Sequence, residues 1–383
     1  MRDCLARVSA AVAVSAAAGL GATGVSAAGA ATRSPQPVRA TSPLVLHASS
    51  ASGIQRWVQR YNGSGMGSDV GRAVAVSPGG RRVFVTGEST GASSGLDYAT
   101  AGYNAATGAR LWVSRYNGPG NAFDIAYSVA VSQDGGTVYV TGASTGAVAA
   151  EEPLDYATVA YNAATGARRW VTRYDGAGRD DQAGVVAVSP DGRTVYVTGI
   201  SNGGACTTGP DYATVAYNAA TGARRWVKRY NNLTTDGASS LAVSPDGRTV
   251  YVTGSSDDGA SYIDYATIAY NAATGAQRWV KRYTSGAGTT LDTATSVRVS
   301  PAGDTVYVTG YGGPVTLRPD YVTVAYNAAT GARRWVKRYN GPGNGEDQAN
   351  AMAVSPTTGN VYVTGGSAGG ATGQDFATIA YSK

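Results

Sequence analysis

The sequence predicts an all-β protein, a six-bladed β-propeller with four antiparallel strands per blade, and three observations predict it. All six tryptophans fall at one position of a repeat: Trp57, Trp112, Trp170, Trp226, Trp279 and Trp335 are spaced 55, 58, 56, 53 and 56 residues apart. The phrase YNAATGA occurs five times, starting at Tyr103, Tyr161, Tyr217, Tyr270 and Tyr326. Each repeat holds four short segments rich in Val, Tyr, Thr and Trp, which favour a pleated surface, separated by Gly-containing turns. A period of this length signals supersecondary units that bury their faces against one another.

Along the chain, residues 1–27 read as a secretory signal peptide. Arg2 and Arg7 precede or open the apolar run Val8–Leu20, and small residues follow at Val25-Ser26-Ala27. That run is too short and too Ala-rich for a membrane span, and no later segment qualifies. Residues 28–53, rich in Ser, Ala and Pro, are expected to be a flexible linker, and residues 54–383 the propeller. Without Arg2, Arg7 and Asp3 the exported chain keeps 29 basic and 24 acidic residues, a net charge of +5, and one cysteine, Cys206, so it forms no internal disulfide.

The second full repeat shows the unit. Ser128–Ser132 is the first strand, Gln133–Gly136 a turn, and Thr137–Gly142 the second strand. After a loop come Asp155–Tyr161, the turn Asn162–Gly166, and Ala167–Tyr174. Asp-Gly and Thr-Gly tolerate the positive φ that strand reversals require. DYATVAY carries apolar groups on both alternating faces, so each sheet needs cover on both sides, which radial packing supplies. The ordered part opens with a lone fourth strand, Ile54–Tyr61, and ends with only three, the last being Asp375–Tyr381. The reading is a closed ring in which the N-terminal strand completes the last blade.

With the Ala before it, YNAATGARRW fits A-x-N-x-x-T-G-x-x-x-W and closely resembles the tryptophan-docking motif of quinoprotein propellers, with Asn104, Asn162, Asn218, Asn271 and Asn327 where that motif has Asp. Val186–Gly199 (VAVSPDGRTVYVTG) is similar to the repeats of bacterial secreted propellers of the YVTN and SBBP types. Together the resemblances span residues 54–383. They imply that each Trp docks on the neighbouring blade. They also bear on cofactors: quinoprotein dehydrogenases hold pyrroloquinoline quinone with a vicinal cysteine pair, calcium and an acidic base, or resemble a site with a catalytic His. This chain has no vicinal cysteines, and its one His, His47, lies in the linker. No cofactor is expected, and PQQ least of all.

Three constellations are candidates for function. Asp69, Asp124, Asp181, Asp236, Asp292 and Asp347 each lie eight residues before the Ser that closes a first strand. Six carboxylates around one mouth could hold a hard cation such as Ca²⁺. The alternative, which is favoured, is that each accepts backbone N–H bonds and fixes its own loop. A second series, Asp97, Asp155, Asp211, Asp264, Asp320 and Asp375, opens the third strands. The Trp-bearing strands hold 18 of the 31 basic residues, a belt that could attract an anionic envelope polymer, lipid headgroups or nucleic acid, or simply guard strand edges. Of 25 Tyr, 22 occupy repeat positions; Tyr127, Tyr262 and Tyr311 stand apart. Tyr262 and Tyr311 fall in the loops where repeats disagree, Glu88–Leu96, Ser144–Leu154, Ser201–Pro210, Ser255–Ile263 and Tyr311–Pro319, and are the candidate ligand contacts.

No G-x-S-x-G elbow, zinc spacing or P-loop is present. The expectation is a secreted, cell-envelope or cell-wall-associated binding propeller. It should be monomeric, with an anionic polymer or a protein as partner, no nucleic acid and no catalytic site. The alternative is an enzyme at the axial mouth, either quinone-dependent dehydrogenase-like or a hydrolase.

Overall fold

A computed structural model describes residues 53–147, 153–176, 180–202, 209–259, 263–286, 290–314 and 318–383. The expected signal peptide, nearly all of the linker, Cys206 and Tyr262 lie outside the described residues. Among the described residues no helix is long and apolar enough to cross a membrane.

The chain forms six antiparallel sheets whose strands follow one another in sequence order. The first holds β1 (Asp69–Val76), β2 (Arg82–Thr90), β3 (Leu96–Asn104) and β4 (Arg110–Tyr116); the second β5 (Asp124–Val131), β6 (Thr137–Thr145), β7 (Leu154–Asn162) and β8 (Arg168–Tyr174). The third holds β9 (Asp181–Val188), β10 (Thr194–Asn202), β11 (Pro210–Asn218) and β12 (Arg224–Tyr230); the fourth β13 (Asp236–Val243), β14 (Thr249–Asp257), β15 (Ile263–Asn271) and β16 (Gln277–Tyr283). The fifth holds β17 (Thr293–Val299), β18 (Thr305–Gly312), β19 (Asp320–Asn327) and β20 (Arg333–Tyr339). The sixth has three strands, β21 (Gln348–Val354), β22 (Val361–Ala368) and β23 (Gln374–Tyr381). First strands of successive sheets touch, whereas fourth strands make no comparable contact. The sheets therefore converge on their first strands and splay outward, the arrangement of propeller blades.

Each blade is held internally by a pair of threonines, buried in the first five, as between Thr141 Oγ1 and Thr158 Oγ1 at 3.0 Å. Blade joins blade through tryptophan. The indole N–H groups of Trp57, Trp112, Trp170, Trp226 and Trp279 donate to the carbonyls of Ala105, Ala163, Ala219, Ala272 and Ala328 in the next blade, at 3.0 or 3.1 Å. Gly166 shows why the motif needs glycine there. Its φ is +74°, and a Cβ would come within 2.7 Å of the Trp112 ring. The Asn of the motif folds the same turn: Asn162 Oδ1 accepts the N–H groups of Ala164 and Thr165. The side chain acts there only as an acceptor, so Asn does the work of the motif's Asp.

First strands begin earlier than the sequence suggests. Asp124 opens β5, four residues before Ser128, and the Asp series heads most first strands instead of preceding them. The reason is a bulge at Tyr127, between the ladder partners Ala126 and Ser128, which breaks the alternation that would have marked the N-terminal half as strand. Second strands run on likewise: Glu88, Ser144, Ser201, Ser255 and Tyr311, read as loop residues, are laddered in β2, β6, β10, β14 and β18.

The sheets are not closed into a ring. Among the described residues, 54–61 are unpaired with β23, whose one strand neighbour is β22, and Phe376 on β23 is 86% exposed. The N-terminal segment is instead held by its other side, with Trp57 docked on Ala105 and stacked on Tyr103.

Candidate functional site

Both Asp series are engaged within blade junctions. In the first series, Asp69, Asp124, Asp181, Asp236, Asp292 and Asp347 accept the N–H of Gly63, Gly118, Gly176, Asn232, Ser285 and Gly341 at 2.5–3.0 Å, closing the loop from the preceding blade. Burial pushes the carboxyls of Asp124, Asp236 and Asp292 up, and that of Asp181 to about 6. Hydroxyl and amide hydrogen bonds pull in the other direction. Among the described residues, no group of three acidic side chains contains two of this series. One such group exists, Asp155, Asp175 and Asp181, with oxygens within 4.8 Å of one another. All-oxygen ligands suit a hard cation. Here Asp155 already receives Arg173 and Asp181 the Gly176 N–H.

In the second series, Asp97, Asp155, Asp211, Asp264 and Asp320 take Arg115, Arg173, Arg229, Arg282 and Arg338 at 2.6–3.2 Å. The same guanidinium reaches further. Arg173 donates to the Ser144 hydroxyl and carbonyl in its own blade and to Tyr116 Oη of the blade before. Arg115 does the same to Tyr61. Five arginines of the basic belt are thus consumed in internal nodes, each a charge-assisted network over a mostly buried carboxylate. Asp375 instead accepts from Thr372 Oγ1.

The positions that differ from blade to blade gather elsewhere. Each first strand carries one bulge at the same place, and the extra residue is Arg72, Tyr127, Gly184, Ser239, Thr295 or Asn350. A Gly on the second strand makes room for it: a Cβ on Gly142 would sit 2.0 Å from the Ile125 carbonyl oxygen. Bulges re-aim side chains and recur beside binding sites. Arg72 is gripped bidentately by the buried Glu88, with Nη2 to Oε1 at 2.6 Å, and its Cζ lies 5.5 Å from the ring centre of Tyr127 in the next blade. Burial raises the Tyr127 phenol. Ser239 Oγ donates to Ala294 O and Thr295 Oγ1 to Ala349 O, again across to the next blade. Beside the bulges, a second variable series faces the inner strands: Glu88, Ala143, Ile200, Ser255, Tyr311 and Gly366.

Tyr311 therefore belongs to this inner set, half-buried and laddered between Thr293 and Tyr321, and not to a loop tip. Tyr127 was legible as an aromatic outside the repeat pattern. Arg72 and Glu88 were missed, although their non-repeating positions in the alignment were the available signal. The arrangement offers an individually varied set of side chains on the inner strands, next to the loops joining second to third strands.

A sequence-family model described as outer membrane protein assembly factor BamB matches residues 101–262 and 211–378. No curated protein sequence matches the chain. Among solved structures, the periplasmic gluconolactonase PpgL of Pseudomonas aeruginosa aligns at 16% identity and TM-score 0.47, covering 81% of this chain and 84% of that one. Sqt1 of Chaetomium thermophilum, bound to the N-terminus of ribosomal protein L10, aligns at 14% and 0.49, covering 78% and 70%. A putative 6-phosphogluconolactonase of Bacteroides fragilis aligns at 13% and 0.46, covering 81% and 83%.

Proposed function

Because the chain belongs to the family described as outer membrane protein assembly factor BamB, we propose that it is a secreted, monomeric binding propeller of the cell envelope, recognising its partner at the inner, loop-bearing face of the blades. One observation carries this reading. The recurring Asp–Arg pairs are engaged in structural nodes that reach the tyrosine of the blade before, while the side chains that differ between blades collect at the inner-strand bulges. Recurrence serves the scaffold and individuality serves recognition.

In solution we take the six blades to close, with residues 54–61 adding the fourth strand to β23. The junction series supports it. Every blade with a fourth strand pairs its second-series Asp with the Arg of that strand, and the missing member is Asp375 with Arg60. The ring pair that repeats as Tyr98–Tyr116 and Tyr321–Tyr339 would recur as Phe376–Tyr61, covering the exposed Phe376.

The test is co-sedimentation of residues 28–383 with purified envelope from the source organism, comparing wild type with Tyr127→Ala and Tyr311→Ala. Binding that persists in high salt and falls in both variants supports the inner face. Undiminished binding in both would move the site elsewhere. A second reading, catalysis at the axial mouth, has one observation in its favour, the buried Glu88 beside Arg72 and Tyr127. Turnover lost in Glu88→Gln would establish it.

A further inference from the structure

The basic belt is not uniform once its internal partners are subtracted. Five of its arginines are locked onto the second Asp series, and Arg334 pairs with Asp304. Arg225 and Arg278 lie close enough to Asp191 and Asp246 to help hold those carboxyls below the usual range, behind the stronger pull of Ser189 and Ser244. Arg169 stands likewise to Asp134, and the belt cations left without an ion pair, among the described residues, are Arg56, Arg60, Arg110 and Arg168 earlier in the chain and a group of five on three consecutive outer strands: Arg224 and Lys228 on β12, Lys281 on β16, and Arg333 and Lys337 on β20. All five are exposed.

Residue choice sharpens the point. Of 31 basic residues only four are lysine, and three of those four, Lys228, Lys281 and Lys337, occupy one repeat position in adjacent blades. Blades one and two carry Ser114 and Thr172 there. Ser114 spends its hydroxyl on the Gly166 carbonyl of the next blade, at 2.6 Å. Lys228 and Lys281 instead lay their stems over the same turn. A Cβ on Gly275 would stand 3.1 Å from Lys228 Cε, and one on Gly331 2.9 Å from Lys281 Cε. Both ammonium groups are thereby carried to the rim at a blade junction, with the apolar stem covering backbone and the head in water, and Lys337 is exposed at the same repeat position on β20.

We propose that Lys228, Lys281 and Lys337, with Arg224 and Arg333, form an arc on the outer rim that binds a flexible, linear, phosphate-bearing polymer. Cations on successive blades follow a convex edge. A flat bilayer laid against that edge meets one blade at a time, whereas a flexible chain bends to meet all three. Compact, strongly hydrated ammonium groups without a fixed fork suit mobile phosphates met at changing angles, where a bidentate guanidinium would demand one geometry. This surface is separate from the inner-strand bulges, so it stands or falls independently of the function proposed above.

Binding of the intact protein to long-chain inorganic polyphosphate should be measured across a salt series by fluorescence anisotropy. Tripolyphosphate and phosphatidylglycerol vesicles serve as the other ligands. A polymer engaged by the arc releases counterions in proportion to the cations that touch it. The variant K228Q/K281Q/K337Q should therefore flatten the slope of log K against log salt by about two, while R110Q/R168Q, outside the arc, leaves it within about 0.5. K228R/K281R/K337R should keep most of the slope, and thermal melts should show all three variants folded. Tripolyphosphate, too short to join blades, should bind far more weakly than the long chain. Equal slopes for the arc and control variants would overturn the proposal, as would vesicle binding that matches or exceeds polyphosphate binding.

Discussion

Trp226 lays its indole across the Gly275 turn of the fourth blade and donates its N–H to the Ala272 carbonyl at 3.0 Å. Its ring also meets Tyr196 of its own blade and Tyr270 of the next, with centroids 5.8 and 6.2 Å away. One side chain thus fills the junction between blades and satisfies its one polar atom. Trp226→Ala should lower stability by about 3–5 kcal/mol, the cost of a large-to-small change in a packed interface. Urea unfolding measures it, and a loss under about 1 kcal/mol would contradict the docking role.

The node around Arg229 predicts a different signature. Asp211 is 4% exposed and takes two N–H groups of Arg229, at 3.0 and 2.6 Å. Arg229→Met strands that carboxylate and should cost roughly 3–5 kcal/mol. Adding Asp211→Asn removes the stranded charge, so the double variant should be more stable than Arg229→Met alone. A double-mutant cycle with no coupling would show that the pair is incidental.

Asp181 gives the pH dependence. Its carboxyl is raised to about 6 by burial, against an ordinary 3.8, so the folded state favours the protonated form more than the unfolded chain does. The sign follows: this contribution to stability is fully present below pH 3.8 and is lost as pH rises through about 6. The interval corresponds to at most about 3 kcal/mol. Thermal melts of wild type and Asp181→Asn at pH 4.5 and 7.5 should show the variant gaining on wild type at the higher pH. A difference between the two proteins that does not change with pH would refute the assignment.

The Asx turn separates the roles of Asn and Asp in the docking motif. Asn162 Oδ1 only accepts, from Ala164 and Thr165 at 2.8 and 3.2 Å. Asn162→Asp should be neutral within about 0.5 kcal/mol, and Asn162→Ala should cost about 1 kcal/mol. Equal losses in both would mean that the amide nitrogen matters as well.

Legibility followed repetition. The Trp series and YNAATGA exposed the period, the four strands and the docking turn, because each blade must solve the same packing problem and does so with the same residues. The bulges stayed hidden. An extra residue such as Tyr127 leaves no mark in a single strand, since it only shifts the alternation of its neighbours, and the Asp at the strand head then read as loop. Tyr311 was misplaced for a related reason: YGGP reads as a turn, yet Tyr311 and Gly312 still pair across to Tyr321 and Asp320. The Arg–Asp nodes were visible as two separate lists of charges. Only the fold shows that residues 18 apart on paired strands, such as Asp155 and Arg173, are one unit.

Ring closure can be tested directly, because the third blade supplies the register. There Val215 pairs with Val227, and Thr214 with Lys228, across β11 and β12. The equivalent pairs at the closure are Ile379 with Val58 and Thr378 with Gln59. Cross-strand neighbours bring their Cβ atoms to about 4.5–5.5 Å, near enough for a disulfide after small adjustment. In a background with Cys4 and Cys206 changed to Ser, V58C/I379C or Q59C/T378C should oxidise to a monomeric species of altered mobility on a non-reducing gel. It should also melt higher than its reduced form, since the bond ties almost the two ends of the propeller together. A disulfide-linked dimer would mean that the N-terminal strand completes the last blade of a second copy. No bond in either variant would leave Phe376 and the β23 edge open in solution, and the closed ring would be wrong.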